Sequence, residues 1–236
     1  VSDVLDGKIT VVRICPPGSC PGHFDVSPGT LLDLKQCRAL FLLDFQRTMG
    51  RQLAGAQAAG LKLMPIKAPQ GLCVPASYLQ SCQAVCAALT AAQPESKTAL
   101  AAALARTHRR MERLEKEVHA RIKTAGLEHA RVAVSEHQAE FCRWLGLEAV
   151  ASYSDGEATT PAELESLISR GKQAGVRFVI ANLQEGRQVG EALAWQLGAK
   201  LVTFSNFPSM RDGESSFDAL VWRNLNKLIT VASVQP

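Results

Sequence analysis

The stretch Pro94 to Ala125, PESKTALAAALARTHRRMERLEKEVHARIKTA, restricts the fold more than any other part of the chain. Apolar residues fall at Leu100, Leu104, Met111, Leu114, Val118 and Ile122, with Thr107 in the gap between Leu104 and Met111. Steps of three and four residues over that distance mark one helix with one buried stripe. Gly126 supplies the stop. Such a helix would be roughly 48 Å long, the span of two small lobes laid end to end rather than of one compact domain. The expected organisation is an N-terminal lobe over residues 1–93, a linking spine over 94–126 and a C-terminal lobe over 127–236.

Basic residues crowd this spine. Arg106, Arg109, Arg110, Arg113, Lys116, Arg121 and Lys123 outnumber Glu112, Glu115 and Glu117 and contribute to the formal net charge of +4. Without interleaved aromatic residues they read as a solvated helix face, not as a nucleic-acid surface. With 236 residues, 47% of them hydrophobic and 20% charged, the chain can form one large or two small cores. No run reaches the ~18 apolar residues needed to cross a bilayer, and the chain opens at Val1 without a basic and apolar leader. A leader removed on export would leave the same start, so the compartment stays open on this ground. The seven cysteines, at 15, 20, 37, 73, 82, 86 and 142, are odd in number and lack the spacing of a disulfide-stapled scaffold.

The first half alternates short apolar segments at Lys8 to Ile14, Ala39 to Leu43 and Leu61 to Ile66 with helix-like stretches near 29–37, 46–59 and 76–92. After the spine, strands are expected at 130–134, 148–152, 176–181 and 199–205, with helices at 136–145, 161–174, 185–197 and 215–232. Crossover helices between short apolar strands imply parallel sheets covered on both faces. Ligands collect outside the carboxyl ends of such strands. Five loops there are chemically loaded: Cys15 to Pro28, Lys67 to Pro75, Ser135 to His137, Asn182 to Gly186 and Ser205 to Pro208.

In the first loop Cys20 and His23 stand at a C-x-x-H spacing with Asp25 two residues on. A thiolate and an imidazole on one stiff turn suit a borderline-soft ion such as zinc, although a full site needs about four donors. His137 is the best distant third ligand, at the end of a strand and the start of a helix that Ser135 can cap. Glu136 beside it is a ligand, a partner for an imidazole, or an acid placed well at a helix N-terminus. Cys73 is a fourth candidate and equally a small buried hydrophobe. Cys82 and Cys86 share a helical stripe with Leu79 and Leu89 and read as core, as do Cys37 and Cys142. A Cys15–Cys20 disulfide would remove Cys20 as a thiolate. Phosphate-loop, nucleophile-elbow, H-E-x-x-H and G-x-G-x-x-G motifs do not occur, and nothing orients Cys20 with His23 as a nucleophile and base, so the chain does not read as an enzyme.

Taken together, PPGSCPGHFDVSP at Pro16 to Pro28, the long helix, VAVSEHQAEFCRWLGLEAV at Val132 to Val150, and the later TTPAELESLISRGKQAGVRFVIANLQEG and EALAWQLGAKLVTFSNFP resemble the metal-binding solute-binding proteins of ABC transporters that carry zinc or manganese. The resemblance implies an α/β fold of the class III solute-binding type: two βα lobes with parallel sheets joined by one spine helix. It implies a periplasmic or extracytoplasmic protein, free or anchored at the membrane through a removed leader. A monomer with an ABC permease as partner would carry a transition-metal ion, zinc first, then manganese, nickel or cobalt, in an inter-lobe cleft.

The four ligands usual in that family are out of place here. Their positions fall on Gly22, near Ala76, on Ser135 and on Ser205, with Cys20, His23, Cys73, His137 and Asn206 close by as substitutes. The family also begins with a strand and helix ahead of the segment resembling Lys8 to Ile14. These departures imply a relocated site of Cys20, His23, His137, Cys73 and Glu136, from which metal capture releases protons and which weakens in acid. The competing reading keeps the fold and recognises an organic solute or a protein partner through Asn182, Gln184, Glu185 and Asn206, polar residues that equally form turns.

Overall fold

A computed structural model describes residues 2–5, 10–14, 26–46, 52–154, 160–208 and 216–234. The chain divides into two compact units, Val1–Gln70 with Pro75–Glu112, and Gly71–Val74 with Arg113–Pro236. The residues of the long helix fall on both sides of that division, at Glu112 and Arg113. It opens with a 3₁₀ turn, Pro94–Ser96, and continues as the α-helix Lys97–Thr124, roughly 42 Å long. Leu100, Thr107, Met111, Leu114, Val118 and Ile122 are all buried, so the stripe read from the sequence is the packed face. Gly126, at φ 64°, ends it, and the Leu127 N–H closes back on the Ile122 carbonyl.

In the N-terminal unit the order is α1 (Ser2–Leu5), α2 (Pro28–Lys35), β1 (Ala39–Leu43), α3 (Ala54–Ala58), β2 (Lys62–Ile66), α4 (Pro75–Ala92) and the first part of α5 (Lys97–Thr124). The strands β1 and β2 pair in parallel from Ala39 opposite Lys62 to Leu43 opposite Ile66. Alternation sends β1 into two cores. Leu40 and Leu42 pack with Leu34, Leu53, Ala56 and Leu61, while Phe41 and Leu43 lie against Val4, Ile66, Cys82, Val85, Cys86 and Leu100. Cys82 and Cys86 are therefore core residues, as their helical spacing predicts.

Two expected elements differ. Of the strand expected at Lys8 to Ile14, Thr10–Ile14 is described and is not a strand. Of these residues Ile14 packs against the cluster under β1, while Thr10 and Val12 are exposed. Of the helix expected over 46–59, the described part holds α3, and the Gln46 side chain accepts the Leu43 N–H (2.9 Å) directly after β1.

A polar clamp also holds this unit. The Asp3 carboxylate accepts hydrogen bonds from Tyr78 and Arg110. Burial pushes the Asp3 carboxyl up, but the bonds from Arg110 and Tyr78 and the guanidinium charge outweigh it and leave the group below the usual carboxylate range.

The C-terminal unit runs β3 (Arg131–Ser135), a 3₁₀ turn (Glu136–Gln138), α6 (Ala139–Trp144), β4 (Glu148–Tyr153), α7 (Pro161–Ala174), β5 (Phe178–Asn182), α8 (Gln188–Leu197), β6 (Lys200–Phe204) and α9 (Phe217–Ser233). Its sheet has the order β4-β3-β5-β6, and every pairing is parallel. One face carries Ala133, Ala151, Tyr153 and Val179 against Leu167, Leu193 and Ala194 of α7 and α8. On the other face Phe204 meets Phe141 of α6 edge-on at 5.5 Å. Covered on both sides, β5 is buried at all five positions. Gly190 permits α8 to sit close, since a Cβ there would lie 2.9 Å from the Tyr153 hydroxyl and 3.0 Å from Ala181 Cβ. Among the described residues no helix is long and apolar enough to cross a membrane.

Candidate metal-ligating site

The strand order fixes where the C-terminal unit can bind a ligand. The chain leaves β3 for β4 on one side, returns to β5 on the other and moves on to β6, so the direction of winding reverses between β3 and β5. The loop after β3 leads to α6 on one face and the loop after β5 leads to α8 on the opposite face, which opens a crevice at their carboxyl ends. Residues 135–138 and 182–185 meet there.

Glu185 is the charged centre of this meeting. Its Oε1 lies 2.6 Å from His137 Nε2. Its Oε2 accepts from the Ser135 hydroxyl (3.1 Å) and from the Asn182 amide (3.0 Å). The His137 side chain is 64% exposed and that of Glu185 25%, so the pair stands at the rim of the unit with its imidazole open to solvent.

Behind the pair lies a neutral network. Gln138, fully buried, donates through Nε2 to Asn182 Oδ1 (3.1 Å) and Asn206 Oδ1 (3.0 Å). Its Oε1 is buried without a partner among the described residues. Gln184 grips the loop after β6 with both ends of its amide, donating to Ser205 Oγ and accepting from the Asn206 N–H, each at 3.0 Å. Ser205 Oγ in turn donates to the Phe207 carbonyl (2.8 Å). From α9 the buried Asn224 pairs with both peptide groups of Ser205, accepting from its N–H (3.0 Å) and donating to its carbonyl (2.9 Å). Apart from Gln138 Oε1, these partnerships offset the cost of burying the polar groups.

The residues singled out in the sequence separate accordingly. Cys20, His23 and Asp25 lie outside the described residues, as does a Cys15–Cys20 bridge. Cys73 is fully buried, and its thiol donates to the Ser205 carbonyl at 3.2 Å. Burial pushes that thiol far above its ordinary range, so it sits there as a protonated donor and not as an open thiolate. Gly71 brings the segment in: at φ 69°, with a Cβ position only 2.8 Å from Glu140 Cβ, it has no room for a side chain. Glu136 is exposed, with no hydrogen bond or ion pair among the described residues. Ser135 does not cap the following turn with its side chain, because its hydroxyl is taken by Glu185. His137, Asn182, Gln184, Glu185 and Asn206 all join the one constellation.

Gln138 and Asn224 escaped sequence reasoning, whereas Ser205 was named there as the position where the resemblance places an acid. Of the two, only Asn224 left a trace, as a polar residue on the apolar stripe Leu220, Val221, Leu225 and Leu228 of α9. Among the described residues no three His, Cys, Asp or Glu side chains cluster as a metal site.

Parallel α/β units with a long helix are consistent with the solute-binding-protein fold. The family of the periplasmic component A of the zinc-uptake complex, ZnuA, matches residues 73–231, and the chain belongs to it. Members are periplasmic metal-binding components of ABC transporters and are not enzymes. Among solved structures, the manganese-bound periplasmic metal-binding protein of Candidatus Liberibacter asiaticus is 12% identical with a TM-score of 0.79, over 98% of this chain and 94% of that one. The cadmium-bound form of the same protein gives 13% identity and 0.79 over the same shares. A crystal structure of ZnuA gives 19% identity and a TM-score of 0.76, covering 98% of this chain and 94% of that one. At these identities the likeness is one of fold. A search of curated proteins returned no match.

Proposed function

We propose that this chain carries a transition-metal ion, zinc before manganese, nickel or cobalt, to an ABC permease, and that His137 is the donor supplied by its C-terminal unit. The observation that supports this reading is the His137–Glu185 pair at the winding reversal between β3 and β5, with an exposed imidazole held against a carboxylate. Imidazole suits zinc, nickel and cobalt, and a carboxylate on the far ring nitrogen is the usual support of a metal-ligating histidine. Cys20 and His23 are the remaining donors we assign from the sequence. Buried and protonated, Cys73 is left out of this set, and Glu136 is kept as a spare acid beside His137. The protein acts as a monomer and does not bind nucleic acid.

A second reading has its own support. Ser135 and Ser205, at the positions where the resemblance places a histidine and an acid, are both engaged in hydrogen bonds, Ser135 with the Glu185 carboxylate and Ser205 with Gln184 and the Phe207 carbonyl. Such a surface suits an organic solute. Elemental analysis of chain purified without a polyhistidine tag separates the two. The metal reading expects about one ion per chain, lost in Cys20→Ser, His23→Ala and His137→Ala. Metal-free protein whose melting temperature is unchanged by zinc, manganese, nickel or cobalt would favour the organic solute.

A further inference from the structure

We propose that Glu185 is the positioning residue for His137 and that it presents Nδ1, not Nε2, of the imidazole to the metal ion, an inference that rests on His137 being a donor. The carboxylate is itself immobilised. Oε2 is occupied by Ser135 at 3.1 Å and by Asn182 at 3.0 Å, and Asn182, 1% exposed, is held in turn by Gln138 at 3.1 Å. Only Oε1 is left for the ring, and it lies 2.6 Å from Nε2.

A carboxylate accepts and does not donate, so the proton of this bond belongs to Nε2, and in the neutral ring the lone pair lies on Nδ1. Nδ1 has no partner among the described residues, on a side chain that is 64% exposed. A metal takes the unprotonated nitrogen, and the carboxylate on the opposite N–H fixes the ring plane and makes the donor more basic. For Glu185 to become a ligand through Oε2 it would have to release Ser135 and Asn182. For His137 to bind through Nε2 it would have to release Glu185. Coordination through Nδ1 leaves all three hydrogen bonds in place.

Long-range proton–nitrogen NMR on the full chain labelled with nitrogen-15 tests this. Before zinc is added, the His137 ring is expected as the tautomer protonated at Nε2. On adding zinc the Nδ1 resonance should move while the Nε2 proton persists. In Glu185→Gln, with its melting temperature checked for folding, zinc affinity should fall about 10- to 100-fold, the loss typical of a removed carboxylate partner. A zinc-dependent shift at Nε2 with loss of its proton, or undiminished affinity in Glu185→Gln, overturns the positioning role and leaves His137 a donor. If neither nitrogen responds to zinc, His137 is not a ligand, and this inference falls with the reading beneath it.

Discussion

In the C-terminal unit β5 is buried at all five positions, whereas β2 of the N-terminal unit buries only Ile66 of its five. The four-stranded sheet hides its inner strand β5 completely and places neutral amides, Gln138, Asn182 and Asn224, in the buried space beyond the strand ends. The two-stranded sheet cannot. Its unit relies on helices packed to either side and on a charged clamp, Asp3 with Tyr78 and Arg110. At the loop after β6 one unit is thus tied by neutral amides, whereas the other is tied by the Asp3 carboxylate.

The largest expected effect breaks the neutral network. Asn224→Leu leaves the Ser205 N–H without its partner and the Ser205 carbonyl with only the Cys73 thiol, so urea denaturation should show a loss of about 1–3 kcal/mol. The loss should be equal at pH 5 and pH 7. A loss below about 1 kcal/mol would mean that water replaces the amide and that the network is not what holds the loop after β6.

Asp3→Asn tests the charged clamp, with an expected loss of about 1–2 kcal/mol at neutral pH for a partly buried charge-assisted pair. Because the folded carboxyl titrates below its unfolded value of about 3.9, its contribution is complete above that pH and disappears as pH falls through the folded value. The gap between wild type and Asp3→Asn should therefore close in acid. A gap that stays constant down to pH 3 would show that shape, not charge, matters at this position. The smallest effect concerns Thr160, whose hydroxyl accepts from the Glu163 N–H (3.3 Å) while the Glu163 carboxylate accepts from the Thr160 N–H (2.8 Å). Thr160→Ala should cost about 1 kcal/mol, read as a lower denaturation midpoint. No change would remove capping as a contributor to the C-terminal unit.

The contrast also explains what the sequence makes legible. Burial on both faces leaves a continuous apolar run such as FVIA, and a packed helix leaves a stripe, so β5 and the long helix are read directly. The Thr10–Ile14 stretch has the same β-branched composition but no partner strand among the described residues, and partnership is not written in composition. Likewise Gln138, Asn182, Asn206 and Ser205 are far apart along the chain, and their hydrogen bonds follow from the parallel strand order, not from any spacing. His137 was visible as a candidate because it lies in a loop after a strand end, where ligands collect in parallel sheets. The hold of Glu185 on it became visible only when the loops after β3 and β5 were brought together.

Calorimetric titration of the tag-free, chelator-stripped chain with zinc tests the central claim most directly. Metal carriage predicts saturation at about one ion per chain, with affinity weakened at least tenfold, about 1.4 kcal/mol, in His137→Ala. An absence of binding heat together with an unshifted melting temperature, or full affinity in His137→Ala, would contradict it.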